Sequence, residues 1–89
     1  MRIKRHKSFI KDFHKTRLTD GQFEKLISYL NALRTGISLP AESKDHSLQG
    51  NYADCREFHL GGDMLVIYLI NDEGVIVLLH MGTHSQFFK

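Results

Sequence analysis

The sequence predicts an α+β fold in the order β-α-α-β-β-β, with one antiparallel sheet packed on a helical hairpin. Two amphipathic helical patterns occupy the N-terminal half, three strand-like runs occupy the C-terminal half, and turn-forming residues separate those runs. The chain has 89 residues, of which 42% are hydrophobic and 25% charged. A chain of this size and composition is expected to form a single domain, residues 1–89, around one hydrophobic core.

The N-terminal half is expected to contain a short edge strand followed by two helices. Residues 1–6 fit the strand, and residues 7–17 carry apolar side chains at helical spacing with lysines between them. Thr19 and Gln22 match a capping box, in which each side chain hydrogen-bonds the other residue's backbone amide, so the second helix should begin there. Gly36 is placed to end this helix.

The C-terminal half is expected to form an antiparallel meander of three strands. The strand-like runs span residues 52–59, 64–70 and 75–81, with turns at Gly61-Gly62 and at residues 71–74. The run MLVIYLI is apolar on both faces, which favours a central strand. Residues 37–50 show no periodicity and are expected to form a long loop, of the kind that often carries function.

Composition and charge narrow the class of protein. No stretch approaches the roughly 20 apolar residues that span a bilayer, so a cytosolic protein is expected. Cys55 is the only cysteine and cannot form an internal disulfide, so it is interpreted as a small buried side chain. The net charge is only +2, but Asp12 is the only acid in a strongly basic N-terminal segment. Such a segment indicates either a solvated helix face or a surface that faces phosphates.

Titratable residues gather in three short polar strings of the second half of the chain. His46 lies in KDHSLQG, His59 and Asp63 lie in REFHLGGD, and His84 lies in GTHSQFF. If the hairpin loop within REFHLGGD has three residues, His59 and Asp63 lie directly opposite each other on neighbouring strands. A two-residue loop would pair His59 with Met64 instead.

The meander is expected to bring this hairpin turn and the segment after the last strand together. His59, Asp63 and His84 would then share one neighbourhood, whereas the sequence does not indicate how the loop would bring His46 there. Imidazoles beside a carboxylate serve two chemistries, acid–base cleavage of a phosphodiester and coordination of a metal such as zinc. The spacing leaves both hypotheses open, together with a third in which these are unrelated surface histidines.

At these strings the chain resembles the YafQ group of bacterial type II toxins, within the RelE/ParE superfamily. The resemblance extends over nearly the whole chain: a basic N-terminal strand and helix, a second helix followed by LP, the string KDHSLQG, a tyrosine before the next strand, REFH with a downstream aspartate, IYLI, and GTHSQFF. Each string alone is a weak signature, but their combination is specific. The fold that the resemblance implies is RelE-like, of the microbial RNase type.

The resemblance implies a ribosome-dependent mRNA endoribonuclease that needs no metal or other cofactor and is neutralised by a DinJ- or RelB-like antitoxin. The family's catalytic positions fall on His46, His59, Asp63 and His84. We expect Asp63 and His84 to transfer the protons, while the other two histidines position the ribose 2′-hydroxyl or stabilise the phosphorane. The family phenylalanine that packs on RNA falls on Phe88, with Phe87 beside it, and simple docking of this end of the chain is the alternative.

One position departs from the family pattern. Relatives commonly carry an arginine shortly before the last catalytic histidine, where it can hold the scissile phosphate, but this chain has Leu79-His80-Met81 there. His80 could replace that arginine only when protonated. Arg56 could share the phosphate-binding role or simply lie on the strand surface. The basic helix is expected to contact ribosomal RNA without reading its sequence, through Lys7, Lys11, Lys15 and Arg17.

Two other functions remain as alternatives. The superfamily also contains gyrase inhibitors of the ParE type that share the fold but lack the catalytic histidines, so a non-nucleolytic or inactive antitoxin-binding protein is one of them. The presence of all four acid–base positions argues against it. A zinc-binding protein is the other alternative.

Overall fold

The structure, a computed structural model, describes residues 1–88 and places a five-stranded sheet against two of three helices in that range. The strands are β1 (Ile3–Arg5), β2 (His46–Ser47), β3 (Arg56–Gly61), β4 (Met64–Ile70) and β5 (Ile76–Thr83), and the helices are α1 (Lys7–Lys15), α2 (Asp20–Thr35) and α3 (His84–Phe87). Among these helices, none is long and apolar enough to cross a membrane. The α+β architecture predicted from the sequence is confirmed.

Local capping contacts fix the ends of the two long helices. α1 begins after His6, whose Nδ1 accepts a hydrogen bond from the Ser8 N–H at 3.1 Å. Thr19 Oγ1 accepts from the Gln22 N–H at 3.1 Å and Gln22 Oε1 accepts from the Thr19 N–H at 3.0 Å, so the predicted capping box is confirmed. Gly36 ends α2 with a φ of 76°, a left-handed conformation that glycine adopts without a Cβ clash.

The strand order in the sheet is β1-β5-β4-β3-β2. β3, β4 and β5 form the predicted antiparallel meander, and β2 adds a short antiparallel strand beside β3. β1 pairs with β5 in parallel, with Ile3 opposite Ile76, so the sheet is mixed rather than wholly antiparallel. The difference arises because β1 is joined to the meander through two helices, and no hairpin turn fixes its direction.

The sheet has one face under α1 and α2, and an opposite face that only the short helix α3 approaches. The main core lies between α1, α2 and the sheet and includes Phe9, Leu26, Tyr29, Phe58 and Tyr68. A smaller cluster on the opposite face includes Leu48, Cys55, Leu65 and Ile67. β4 contributes to both, which confirms it as a central strand. We call the face that carries Leu65 and Ile67 the open face.

Two segments contain more regular structure than the sequence predicted. Residues 37–50 include a 3₁₀ turn (Ala41–Ser43) and β2, and a second 3₁₀ turn (Gly50–Tyr52) follows. Ser43 is fully buried and its Oγ donates to the Pro40 carbonyl at 2.7 Å. α3 begins at a second capping box, formed by Thr83 and Gln86. Single side-chain contacts stabilise these short elements, and such contacts leave no periodic pattern in the sequence.

Candidate active site

β3 places a buried carboxylate and an imidazole side by side on the open face. Alternate residues of a strand share a face, so Glu57 and His59 lie together while Phe58 points into the main core. Glu57 Oε2 lies 2.5 Å from His59 Nε2, and the Glu57 side chain is only 3% exposed. Burial of an unpaired carboxylate is costly, so this contact stabilises Glu57 in its position. Glu57 was not among the predicted site residues, although its two-residue spacing from His59 is the signal that could have found it.

β2 brings His46 to the same place. His46 lies opposite Glu57 in the register of β2 and β3, with its Nε2 4.0 Å from Glu57 Oε1. The rings of His46 and His59 are nearly parallel, at 22°, with their centroids 6.3 Å apart. The side chain of His46 is 54% exposed and that of His59 is 20% exposed, so His46 is the more accessible base. We call His46, Glu57 and His59 the imidazole–carboxylate cluster.

Asp45 fixes the loop that carries His46. Its Oδ1 accepts hydrogen bonds from the Tyr68 hydroxyl at 2.7 Å and from Arg56 Nε at 3.3 Å. Its backbone N–H donates to Ser43 Oγ at 3.3 Å. These contacts tie the KDHSLQG loop to β3 and β4 and explain how His46 reaches the cluster.

Burial and hydrogen bonding set the protonation states of three nearby groups. Burial, reinforced by the Asp45 carboxylate, raises the pKa of the Tyr68 hydroxyl, which therefore remains a donor. The hydrogen bond with Asp45 raises the pKa of Arg56. Burial also raises the pKa of Cys55, helped by the negative charge of Asp54. Cys55 is 7% exposed, which confirms its interpretation as a small buried side chain.

Hydrogen-bond partners select opposite tautomers for the two clustered histidines. His46 Nδ1 lies 2.6 Å from the backbone carbonyl of Lys44, which can only accept, so Nδ1 carries the hydrogen. The Nε2 of neutral His46 is then bare and can accept a proton. In His59 the Nε2 faces the Glu57 carboxylate and carries the hydrogen, so its Nδ1 is the bare atom.

The hairpin between β3 and β4 has a two-residue turn and a β-bulge. Gly61 pairs with Met64 and His59 pairs with Leu65, which leaves one extra residue on β3. The predicted pairings of His59 with Asp63 or with Met64 are both wrong. The two glycines before Asp63 have φ values of 108° and 57°, and this backbone freedom permits the bulge and the tight turn. Asp63 therefore lies exposed in the turn.

His84 meets the hairpin turn, as the sequence predicted. It is the first residue of α3, and its backbone N–H donates to the Asp63 carbonyl at 2.9 Å. Thr83, just before it, pairs with Met64 at the start of β4. His84 and Asp63 are both exposed, so both side chains are accessible at this end of the sheet.

Strand register places the imidazole–carboxylate cluster at the same end of the open face. Leu65 pairs with His59 on one side and with Gly82 on the other, so these three residues lie in a row across adjacent strands. Neighbouring strands are about 4.8 Å apart, so the His59 and Gly82 backbones are separated by roughly 10 Å. A Cβ atom at position 82 would lie 3.0 Å from the Phe87 ring, so Gly82 lets α3 pack closely over the sheet.

Aromatic rings line the open face beside this row. The Tyr52 centroid lies 6.3 Å from that of His80 and 5.8 Å from that of Phe88, and Phe87 lies 5.1 Å from His80. The His84 ring is 5.0 Å from Phe88. Both phenylalanines pack against the smaller core cluster but are only half-buried. We call Tyr52, His80, Phe87 and Phe88 the aromatic platform.

The structure separates the two residues predicted to bind phosphate. His80 belongs to the aromatic platform, and its Nδ1 lies 2.9 Å from Asp12 Oδ2. Arg56 pairs with Tyr68, whose side chain lies in the main core, so Arg56 points to the helix side of the sheet. The structure therefore does not bring Arg56 to the cluster, and its visible contact is with Asp45.

The lysines of α1 form an exposed stripe. Lys7, Lys11 and Lys15 recur at helical spacing and are all exposed, while Phe9 of the same helix is buried in the main core. Arg17 is exposed in the connection to α2. Within the part of the chain that the structure describes, no group of three or more His, Cys, Asp and Glu side chains is arranged to hold a metal ion.

Comparison with known proteins decides the family. The family model described as the bacterial toxin of the type II toxin-antitoxin system, YafQ, matches residues 1–89. The chain belongs to the YafQ family. The resemblance inferred from the sequence strings is thereby confirmed.

Individual YafQ relatives agree with this assignment. The mRNA interferase toxin YafQ of Escherichia coli is 36% identical over 52 residues, which cover 58% of this chain and 55% of that relative. The aligned segment thus spans little more than half the length of this curated relative. The structure of the E. coli DinJ-YafQ complex has a TM-score of 0.81 and 30% identity and is matched over 100% of both chains. A metal-bound toxin from Helicobacter pylori has a TM-score of 0.82 and 32% identity over 98% of each chain.

Proposed function

We propose that this YafQ-family chain is the toxin of a type II toxin-antitoxin system and cleaves ribosome-bound mRNA, which inhibits translation. The observation that carries the proposal is the placement of the imidazole–carboxylate cluster and His84 at one end of the open face, beside an aromatic platform. An RNA phosphodiester bound there would meet a base on one side and an acid on the other. The name of the E. coli relative, an mRNA interferase toxin, supports the same activity.

The proposed reaction is attack of a ribose 2′-oxygen on the adjacent phosphorus. His46 Nε2 removes the proton of the 2′-hydroxyl as the new O–P bond forms, and His84 gives a proton to the 5′-oxygen as the old P–O bond breaks. The products are a 2′,3′-cyclic phosphate and a 5′-hydroxyl. His46 is preferred as the base because its Nδ1 is held by the Lys44 carbonyl, which leaves Nε2 bare in the neutral ring.

His59 and Asp63 are proposed to support the two proton-transfer groups. His59, held by Glu57 through Nε2, would donate one hydrogen bond from Nδ1 to the phosphorane when its ring is protonated. The Asp63 carbonyl accepts the His84 N–H, and the Asp63 carboxylate is proposed to orient the His84 ring. The proposed base is therefore His46, in place of the Asp63 expected from the sequence, because an ordinary aspartate is a weak base at neutral pH.

RNA binding is proposed to use two separate surfaces. A base unstacked from the mRNA would lie on the aromatic platform, where Phe88 packs between Tyr52 and His84. The lysine stripe of α1 and Arg17 would hold ribosomal RNA phosphates, with Lys15 at the end of the stripe nearest the platform. Acid–base cleavage of this kind needs no metal or other cofactor.

A DinJ- or RelB-like antitoxin is the proposed partner that neutralises the toxin. This proposal is supported by the E. coli YafQ structure, which contains DinJ. Because the proposed substrate is mRNA on the ribosome, the proposed site of action is the cytoplasm.

The test is primer extension on translated mRNA with purified protein. Alanine variants of His46, His59, Asp63 and His84 are compared with wild type, and Asp72→Ala in the exposed β4–β5 turn is the control. We expect cleavage at defined codons by wild type and Asp72→Ala, and losses of about 10²- to 10⁴-fold for His46→Ala and His84→Ala. Intact message would contradict the proposal, and stalled replication in cells that express the protein would then favour a gyrase inhibitor.

Metal-independence is tested separately, because the H. pylori relative is described as metal-bound. Protein is dialysed against a chelator, its zinc and copper contents are measured, and cleavage is assayed in the continued presence of the chelator. Full activity in metal-free protein is expected. Loss of activity that returns on adding zinc or copper would contradict a metal-independent reaction.

A further inference from the structure

Asp12 turns its carboxylate from the basic helix α1 toward the edge of β5. Its Oδ2 accepts a hydrogen bond from the Met81 N–H at 3.1 Å and lies 2.9 Å from His80 Nδ1. The side chains are 19% exposed for Asp12 and 30% exposed for His80, so solvent screens this pair only in part. One carboxylate oxygen thus contacts both the backbone and a ring of the aromatic platform.

The backbone groups at the edge of β5 can find hydrogen-bond partners without a charged side chain. β1 pairs only with the first residues of β5, so the next backbone groups of β5 need other partners. Ser8 on α1 meets this need with a neutral group, since its Oγ donates to the Leu79 carbonyl at 2.7 Å. A neutral acceptor could satisfy the Met81 N–H in the same way. The charge of Asp12 is therefore best explained by its second partner, His80.

Asp12 also fixes which nitrogen of His80 is available. An ionised carboxylate can only accept, so His80 Nδ1 carries a hydrogen and Nε2 is the free nitrogen. A neutral ring presents a bare Nε2, which repels a phosphate oxygen, whereas a protonated ring presents an N–H that can donate to it. The ring meets Phe87 and Tyr52 on the platform, where the proposed function places RNA.

We propose that Asp12 is a positioning residue that holds the protonated ring of His80 so that its Nε2–H donates to an RNA phosphate on the aromatic platform. This inference rests on the proposed function and adds to it a residue of α1. Lys15, which lines a cavity of about 170 Å³ with Asp12 and Phe87, supplies a second positive charge nearby. The groups that face His80 are Asp12 of α1, the phenol of Tyr52 and the uncharged ring of Phe87.

The first measurement is independent of RNA cleavage. The ¹⁵N shifts of the His80 ring, recorded by NMR at a pH where the ring is neutral, report which nitrogen carries the hydrogen. We expect the Nδ1–H form in wild type and a mixture or the other tautomer in Asp12→Ala. Asp12→Asn keeps an acceptor for the Met81 N–H, so it is the control in which the edge of β5 stays hydrogen-bonded. The same tautomer in wild type and Asp12→Ala would overturn the positioning role.

The second measurement is a double-mutant cycle on cleavage of ribosome-bound mRNA. Asp12→Asn is made in wild type and in a His80→Gln background, and thermal unfolding verifies that each variant is folded. We expect Asp12→Asn to slow cleavage about tenfold in wild type, as for loss of one charged hydrogen bond, and to have little further effect when His80 is already replaced. The same loss in both backgrounds would show a purely structural role and overturn the proposal.

His80→Arg provides a pH-dependent readout that a structural role would not change. A guanidinium stays charged at every pH in the assay, whereas an imidazole loses its proton near neutrality. The cleavage rate of His80→Arg relative to wild type should therefore rise from pH 6 to pH 8, and a constant ratio would contradict a phosphate contact.

If wild type leaves mRNA intact, the proposed function fails and this role fails with it. If wild type cleaves and Asp12→Asn is unchanged, this role alone fails.

Discussion

The buried carboxylate of Glu57 links the histidines of two strands. It contacts His59 directly and lies across from His46, whose ring stacks beside that of His59. The arrangement gives the two imidazoles different free nitrogens, Nε2 in His46 and Nδ1 in His59. Two different acceptors, the Lys44 carbonyl and the Glu57 carboxylate, thus assign different roles to the neighbouring rings.

Glu57→Gln is predicted to reduce cleavage while the fold persists. The amide has no charge to pair with a protonated His59, and its N–H₂ group can face the ring N–H without accepting from it. We expect a loss of roughly 10- to 100-fold, the range for a hydrogen bond to a charged group. Single-turnover cleavage rates measure it, and Glu73→Gln in the exposed β4–β5 turn is the control. Wild-type rates in Glu57→Gln would show that the cluster does not depend on this charge.

Stability is predicted to fall at alkaline pH because of buried groups whose pKa is raised. Burial raises the pKa of Cys55 and of Tyr68, so the folded state holds these protons more tightly than the unfolded chain does. The free energy of unfolding should therefore decrease as pH rises above about 8.5, where an exposed thiol ionises, and further above about 10 for tyrosine. Urea denaturation between pH 7 and 11 measures it. Cys55→Ala should flatten the first part of this decrease, and an identical curve for both proteins would contradict the assignment.

Candidate site residues could be predicted from the sequence where titratable side chains gather in short polar strings. The strings indicated His46, His59, Asp63 and His84 as candidates, and the meeting of His84 with the hairpin turn followed from strand order. Glu57 was missed because a glutamate between Arg56 and Phe58 looks like an ordinary surface residue of a strand. Its burial depends on β2, which the sequence did not predict.

The KDHSLQG loop acts as an element anchored by side chains. Asp45 joins it to β3 through Arg56 and to β4 through Tyr68, and Ser43 is buried beneath it. These anchors compensate for the shortness of β2, which has two residues. The position of His46 therefore depends on contacts made by other residues of the loop.

Tyr68→Phe is predicted to loosen this loop without disrupting the core. The change removes the hydroxyl that donates to Asp45 at 2.7 Å and leaves the ring in place. We expect faster hydrogen exchange of the β2 amides and a decrease in cleavage of several-fold, as for loss of about 1 kcal/mol. Tyr29→Phe is the matched control, because it removes a buried tyrosine hydroxyl that is not one of the hydrogen-bond partners of Asp45. Equal exchange rates in the two variants would contradict the anchoring role of Asp45.

The lysine stripe of α1 is predicted to bind ribosomal RNA through phosphates. Replacement of Lys7, Lys11 and Lys15 by glutamine should weaken ribosome binding. The slope of log K against the logarithm of salt concentration, where K is the binding constant, should become shallower by about 2 to 3. Sedimentation binding assays at several salt concentrations measure both. Arg34→Gln at the end of α2 is the control, since it removes one exposed positive charge from another helix. A slope unchanged by the triple substitution would exclude the stripe as a contact surface.

Helices and strands could be predicted from the sequence where neighbouring residues determine their ends or their burial. The Thr19 and Gln22 capping box, the Gly36 helix end and the apolar β4 run each gave an element near its observed place. The hairpin register was not predictable, because a bulge shifts His59 from Asp63 to Leu65 and depends on how the glycine turn closes. The contact between Asp12 and His80 joins residues far apart in sequence and leaves no local pattern.

The two faces of the sheet have different compositions across the whole molecule. The helix side contains the larger core, with Phe58 and Tyr68 nearly inaccessible, and accounts for most of the buried apolar surface. The open face carries the imidazole–carboxylate cluster and the aromatic platform. The fold class and the family followed from the sequence because the patterns that determine them extend along the entire chain.

The central claim is that imidazoles on the open face catalyse attack of a ribose 2′-hydroxyl on the adjacent phosphate. The most direct test is the chemistry of the cut ends, with a translated mRNA that carries a single 2′-deoxy substitution at the mapped cleavage site as the comparison. We predict a 2′,3′-cyclic phosphate and a 5′-hydroxyl from the unmodified mRNA and no cut at the substituted position. Cleavage of the 2′-deoxy mRNA, or products that end in a 3′-hydroxyl and a 5′-phosphate, would contradict the account.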